Sequence, residues 1–290
     1  MLQFLEYSMI GVASGGIYVL AALGFVIIYK STNVFNFAIG EMMMIGAYLF
    51  YAATGQLHLG WPIGILAALG GSMALAAGIE RGLLQPLIGQ PTIVLVMVTF
   101  GVGSILRGLA GMIWGPDIIQ MPDFLPRKPI FIGDVLIPGK LAWGFIAVGT
   151  LSLAFILYYR LSRTGIAIRA TSADQMTAES VGINVRRVSS LSWAITGLLT
   201  GAAGIVVGSL NGLTPTLGLV ALNVLAVVML AGMTSVGGVV VAGLFIGWFE
   251  TLIGAYLGGA WQSFMPYLVV LVMMTVKPNG LFGEQRVERI

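Results

Sequence analysis

The chain has 290 residues, of which 58% are hydrophobic and only 9% charged, with a formal net charge of +3. A soluble domain carries about 25% charged residues, so this composition, with a mean hydropathy of +0.99, is that of a polytopic helical membrane protein. The absence of cysteine excludes disulfides and thiolate metal sites, and the absence of a G-x-x-x-x-G-K-[ST] loop excludes a nucleotide-hydrolysing module of that kind.

Apolar runs long enough to cross ~30 Å of hydrocarbon recur along the chain. They predict an all-α fold of about nine transmembrane helices, within a range of eight to ten, in one membrane domain covering 1–290. No signal-peptide pattern is expected ahead of the first span, about 7–29, in which Gly11 and Gly15 are spaced for close helix approach. The second, about 34–53, contains Asn36, Gly40 and Glu41. A short polar connector carrying His58 leads to the third, about 62–80, which ends at Glu80 and Arg81, read as an interface pair. The fourth, about 92–114, has Arg107 inside it.

Residues 115–140 are polar, with five prolines, Asp117, Asp123 and Asp134, and Arg127, Lys128 and Lys140. The fifth span is about 141–159 and the sixth about 188–210, where Gly197, Gly201, Gly204 and Gly208 line one face. Spans at about 217–232, 239–257 and 264–276 follow, then a tail with Arg286 and Arg289. Trp61, Trp114, Trp143 and Trp261 fall at expected interfaces and read as belt anchors.

Between the fifth and sixth spans lies an island, 160–187, with Arg160, Arg163, Arg169, Arg186 and Arg187. Ser172 and Gln175 have capping-box spacing, Asp174 adds first-turn charge, Ala173 to Val181 would form the body, and Gly182 would end it. So short a helix is not stable alone and must dock. Its few large apolar residues, Met176, Val181 and Ile183, form too narrow a face for lipid, which leaves a partner protein or a solvated connector whose arginines set topology.

Basic short loops face the cytoplasm, so the island and the basic tail are both placed inside and 115–140 outside, which leaves the N-terminus outside and the C-terminus cytoplasmic. The loop arginines are read as topology signals, with no nucleic-acid partner. By this count spans one to four and six to nine run in opposite senses, which predicts an inverted repeat with a central path at its interface.

Charges inside spans are expensive and mark functional candidates. Glu41 is expected about two turns from the cytoplasmic side, and Arg107 and Glu250 at depths that permit an ion pair. Asn36, Asn211 and Asn223 would either line a path or bind backbone carbonyls. No G-x-S-x-G and no His pair at metal spacing occurs, so neither a catalytic nor a metal site is expected.

Six stretches keep a common order: G-I-Y-V-L-A-A-L-G (16–24), N-F-A-I-G-E (36–41), G-A-Y (46–48), R-T-G-I-A-I-R-A (163–170), V-G-I-N (181–184) and P-N-G-L-F-G (278–283). Together they resemble the permeases of branched-chain amino acid ABC importers, of the first-permease type in the high-affinity leucine/isoleucine/valine system. One departure is A-G-M-T-S at 231–235, where such permeases show Gly-Gly-x-Gly-Ser.

The resemblance implies that Ser172, Ala173, Asp174, Gln175, Met176, Thr177, Ala178, Glu179, Ser180, Val181 and Gly182 form a coupling helix that inserts into an ATPase subunit. It further implies two ABC ATPase subunits, a second homologous permease or a second copy of this chain, and an external solute-binding protein. The setting would be surrounding lipid in a bacterial inner membrane. ATP and Mg would sit on the partners, and this chain would bind no cofactor. The competing reading is an ion-coupled secondary transporter of a small polar solute, with Glu41 or Glu250 binding Na⁺ or H⁺. A passive channel gives the docking helix no role.

Overall fold

The computed structural model describes residues 2–87, 89–133 and 135–283; Asp134, Arg286 and Arg289, used in the charge reading, lie outside the described residues. Helix α1 (Leu2–Thr32) is the central post, buried along most of its length. It packs against α10 (Val236–Leu257), α8 (Val185–Asn211) and α5 (Gly139–Leu161). Gly11 and Gly15 make the α1–α10 crossing possible. A Cβ on Gly11 would come within 2.7 Å of the Trp248 Cα, and one on Gly15 within 2.6 Å of the Gly243 carbonyl oxygen. With lipid as solvent, such close backbone packing replaces the hydrophobic effect as the force between helices.

Helix α8 is the second buried post. Its glycine stripe works on two neighbours: Gly197 and Gly201 face Ser72 of α3 (Trp61–Ile79), whereas Gly204 faces the Met43 carbonyl of α2 (Ile39–Tyr51). Helix α4 (Thr92–Trp114) lies outside α2, and α11 (Gly259–Val276) lies against α10 and α9 (Ala221–Ala231) with most of its surface exposed.

Among the described residues, seven helices are long and apolar enough to cross a membrane. The expected second and seventh spans differ. At 1.5 Å per residue, α2 and α9 reach about 20 Å and 17 Å. Each follows a stretch of non-α backbone: residues 33–38 before α2, and residues 212–216 with a 3-10 turn at Leu217–Val220 before α9. Asn33 has φ +54°, the Asn36 Oδ1 accepts the Ala38 N–H at 2.9 Å, and the Phe37 N–H donates to the Thr99 Oγ1 at 3.2 Å. Side chains thereby satisfy backbone groups that a helix would pair internally. Helix α2 continues through a π turn at Ala52–Gln56, and α3 through another at Glu80–Leu84.

The segment between α4 and α5 adds a small antiparallel hairpin, β1 (Ile130–Ile132) and β2 (Val135–Ile137), to an otherwise helical fold. Asp123 there pairs with Arg127 and, at 2.7 Å, with Lys140. Both cations hold its carboxyl below the usual carboxylate range. At the opposite end, P-N-G-L-F-G folds over the α9–α10 turn, with the Leu281 and Phe282 N–H groups donating to the Leu230 and Ala231 carbonyls at 2.9 Å. Gly232 (φ +95°) makes that turn, and Ser235 caps α10 by accepting the Gly238 N–H at 3.0 Å, so the A-G-M-T-S variant keeps a tight turn.

Candidate functional site

The N-terminal ends of the two short helices meet. A Cβ on Gly40 would strike the Gly218 carbonyl oxygen and lie 2.6 Å from the Ala221 Cβ. Beside this junction is a 230 Å³ cavity lined by Phe37, Glu41, Phe100, Arg107, Leu219 and Leu222, among others. Gly103, the middle residue of α4, lies against the Glu41 carboxylate, so Glu41 is near the mid-length of a full span. Its carboxylate is buried and bonded to the Arg107 guanidinium, which is partly exposed. Phe37, Phe100, Leu219 and Leu222 are exposed, so the cavity opens on an uncovered apolar face.

The expected Arg107–Glu250 pair is therefore corrected: Arg107 takes Glu41. Counting along a continuous second helix placed Glu41 too near the membrane surface, whereas the non-helical lead lifts it to the level of Arg107. Helix α10 packs on α1, α9 and α11, away from α4. Glu250 instead receives the Tyr18 hydroxyl at 3.0 Å and the Asn223 amide at 3.2 Å, and Asn223 also donates to the Tyr18 oxygen at 3.1 Å. This cluster ties α1, α9 and α10 together. Asn36 is fully buried and engaged by its own turn and by the Met42 sulfur, and Asn211 is exposed at the end of α8.

The island folds into two helices rather than one. Ser162 caps α6 (Arg163–Ala173), accepting the Gly165 N–H at 2.9 Å, and α6 turns back along the end of α5. Gly165 touches the Tyr159 carbonyl, where a side chain would not fit, and the Arg169 guanidinium bonds that carbonyl while lying 5.2 Å from the Tyr159 ring centre. The Ser172 capping box is corrected too. Ser172 and Ala173 end α6, and Asp174 caps α7 (Gln175–Ser180), accepting the Thr177 N–H at 3.0 Å. That bond holds the Asp174 carboxyl below its ordinary value. Gly182 (φ +88°) ends the segment, and Asn184 caps α8. Helix α7 is anchored through buried Ala178, while Met176 and Val181 project outward at 84% and 72% exposure.

A family profile described as branched-chain amino acid transport system, permease component, matches residues 8–274. The chain belongs to this permease family. The permease is 26% identical to the high-affinity branched-chain amino acid transport system permease protein LivH of Escherichia coli K12, over 100% of this chain and 98% of that one. It is 25% identical to BraD of Pseudomonas aeruginosa, over 99% and 98%. The guanosine ABC transporter permease protein NupQ of Bacillus subtilis is 27% identical over 66% of the permease and 63% of its own length. A solved structure of PsaBC from Streptococcus pneumoniae in complex with Fab shares the fold, with a TM-score of 0.52 and 16% identity over 95% of the permease and 92% of that chain. The permease is thus a multi-pass membrane transport component.

Three further residues matter that sequence reasoning did not single out, and a fourth has another role than expected. Tyr18 reads as one more aromatic in an apolar helix, yet it binds Glu250. Thr99, fully buried, holds the lead into α2 by accepting from Phe37 and donating to the Phe35 carbonyl at 3.3 Å. Gly218 carries only the signal of a glycine after T-P-T-L. Trp114, expected in the interfacial belt, stacks on Tyr48 with centroids 4.7 Å apart. Glu80 also departs from expectation: it is buried and bonded to Ser189 and Ser190 rather than to Arg81. Burial at the α3 π turn places its carboxylate against α8 instead of at the surface.

Proposed function

We propose that the permease is the membrane-spanning subunit of an ABC importer for branched-chain or other apolar amino acids. The observation that carries this reading is the meeting of α2 and α9 beside the Glu41–Arg107 pair. Broken helices joined at mid-depth are a recurrent way to build a solute site, because their N-terminal ends leave partial positive charge pointing at the bound group. A zwitterionic amino acid would offer its ammonium to Glu41 and its carboxylate to Arg107 and the helix ends, with the apolar walls taking the side chain. The two short helices run as an inverted pair, with the N-terminus outside and the arginine-rich end in the cytoplasm. The exposed apolar mouth of the cavity is the face for a second permease, homologous or identical, which completes the path.

Energy comes from two ATPase subunits that bind ATP and Mg. Met176 and Val181 are the apolar contacts offered to a groove on one of them, each worth about 1.5–3 kcal/mol when fully buried. Closure of the ATPases pushes α7, and α6, braced on Tyr159, transmits the displacement to α5. An external binding protein delivers the solute. The ion-coupled alternative draws on Glu250, a buried carboxyl whose described partners are neutral.

Reconstitution with ATPases and binding protein decides between them. Leucine uptake driven by ATP is expected to survive collapse of proton and sodium gradients. Uptake abolished by that collapse, or full-rate uptake by the permease alone, would overturn the proposal. Glu179→Lys with Ala178→Pro should uncouple hydrolysis from uptake, since the Ala178 N–H bonds the Asp174 carbonyl at 3.0 Å and a proline removes that donor.

A further inference from the structure

A second cavity, of 330 Å³, lies at the arginine-rich end of the fold and shares no lining residue with the Glu41 site. Its chemistry comes from Glu80, Gln175, Glu179, Arg186 and Trp193, and its apolar wall from Leu84, Leu95 and Val185. Glu80 is 2% exposed and accepts only from neutral groups: the Ser189 hydroxyl at 2.8 Å, the Ser190 hydroxyl at 2.6 Å and the Gln85 amide at 3.4 Å. None of the ion pairs among the described residues involves it. A buried carboxylate accepts about four hydrogen bonds, so capacity remains. Trp193 is 1% exposed, and its indole N–H is buried without a partner. The Trp193 ring is part of the cavity wall, and its N–H lies beneath that wall.

We infer that this cavity binds one free amino acid with an apolar side chain, its ammonium at Glu80, its carboxylate toward Arg186 and its side chain against Leu84, Leu95 and Trp193. Glu80 offers a negative group and Arg186 a positive one, so a bare metal ion or a simple amine would leave Arg186 facing a positive charge. A zwitterion answers both, and the volume, at the low end of about 300–1,000 Å³ for ligand sites, admits a single residue rather than a peptide.

Gln175 and Glu179 belong to α7, so the ligand would fasten the docking segment to α3 and α8. The site therefore acts as a product sensor: amino acid accumulating in the cytoplasm holds α7 and slows coupled hydrolysis. This regulatory part rests on the importer reading above.

The test is equilibrium binding of labelled L-leucine to the full permease–ATPase complex, with 4-methylpentanoate and isoamylamine as analogues lacking the ammonium or the carboxylate. A saturable component of binding is expected that is weakened about tenfold or more for each analogue and in Arg186→Ala, but not in Arg187→Ala, an exposed neighbour outside the cavity lining. Arg186 is exposed, so that variant keeps the fold, whereas Glu80→Gln, which keeps one acceptor oxygen for Ser190 and Gln85 and removes the charge, is a second variant and should weaken binding likewise. In vesicles, leucine on the α7 side should lower ATP hydrolysis, and Arg186→Ala should relieve that inhibition. Binding insensitive to Arg186→Ala, or as tight for either analogue, would overturn the site. If uptake fails while Arg186-dependent binding persists, the importer reading is wrong and the site stands; if uptake proceeds without such binding, the reverse holds.

Discussion

Gly40 and Gly218 meet backbone to backbone, and the contact leaves no room for a side chain on Gly40. This is the joint at which two incomplete helices share one level of the protein. Gly40→Val should force them apart at a cost of about 1–3 kcal/mol, as overpacking does elsewhere. The expected result is a lower thermal unfolding midpoint in detergent together with loss of uptake. Gly70→Ala is the control, because a Cβ at Gly70 meets nothing within 4 Å. Equal effects of the two substitutions would remove the joint from the argument.

The Glu41–Arg107 pair predicts a one-sided pattern. Arg107→Ala strands a buried carboxylate, whose side chain is 7% exposed, and should cost about 1–3 kcal/mol. Glu41→Gln on that background removes the stranded charge and should restore most of the lost stability, but not uptake. Glu250→Ala on the same background should restore nothing. Thermal unfolding of the single and double variants measures this; rescue by Glu250→Ala would reinstate the pairing that the geometry rejects.

Why one half of this picture was legible in the sequence and the other was not comes down to range. Helix α4 matches its expected bounds of 92 and 114 because Pro91 and Gly115 (φ +84°) mark its ends locally. The α8 glycine stripe was equally visible, since helical periodicity fixes which residues share a face. The break before α2 was hidden inside an apolar run, and it is held in part by Thr99, more than sixty residues away. Missing that break misplaced Glu41 in depth and gave Arg107 the wrong partner. At α7 the difficulty was different: Ser172 and Asp174 are both good caps two residues apart, and only the length of α6 selects the second.

Asp174 gives the docking segment a pH dependence whose sign follows from its cause. The Thr177 N–H stabilises the ionised carboxylate and depresses its pKa in the folded chain. The cap's contribution is therefore fully present above the unfolded-state pKa and is lost as pH falls through the folded value. ATPase association should be steady around neutrality and weaken only in acid. Asp174→Asn, which still offers an oxygen to Thr177, should remove the acid dependence while keeping association; Asp174→Ala should weaken association at every pH. Co-purification of the ATPases across a pH series is the measurement, and unchanged recovery with Asp174→Ala would count against a capped, force-bearing α7.

The Tyr18–Asn223–Glu250 cluster joins three helices through neutral donors, which makes a prediction about charge. If its work is fastening, Glu250→Gln keeps an acceptor oxygen for Tyr18 and Asn223, and uptake should remain within about twofold of wild type. Tyr18→Phe and Asn223→Ala each remove bonds to the same carboxyl, so their losses should not add: the double variant should fall short of the sum, with a coupling of about 0.5–3 kcal/mol for groups in one network. Interhelical hydrogen bonds in membranes average only about 0.6 kcal/mol, which favours the lower part of that range. Proton or sodium carriage by Glu250 requires a titratable or anionic group and would be abolished by the same Gln substitution. Uptake by Glu250→Gln with ATP present and gradients collapsed thus separates a fastener from an ion site in one variant.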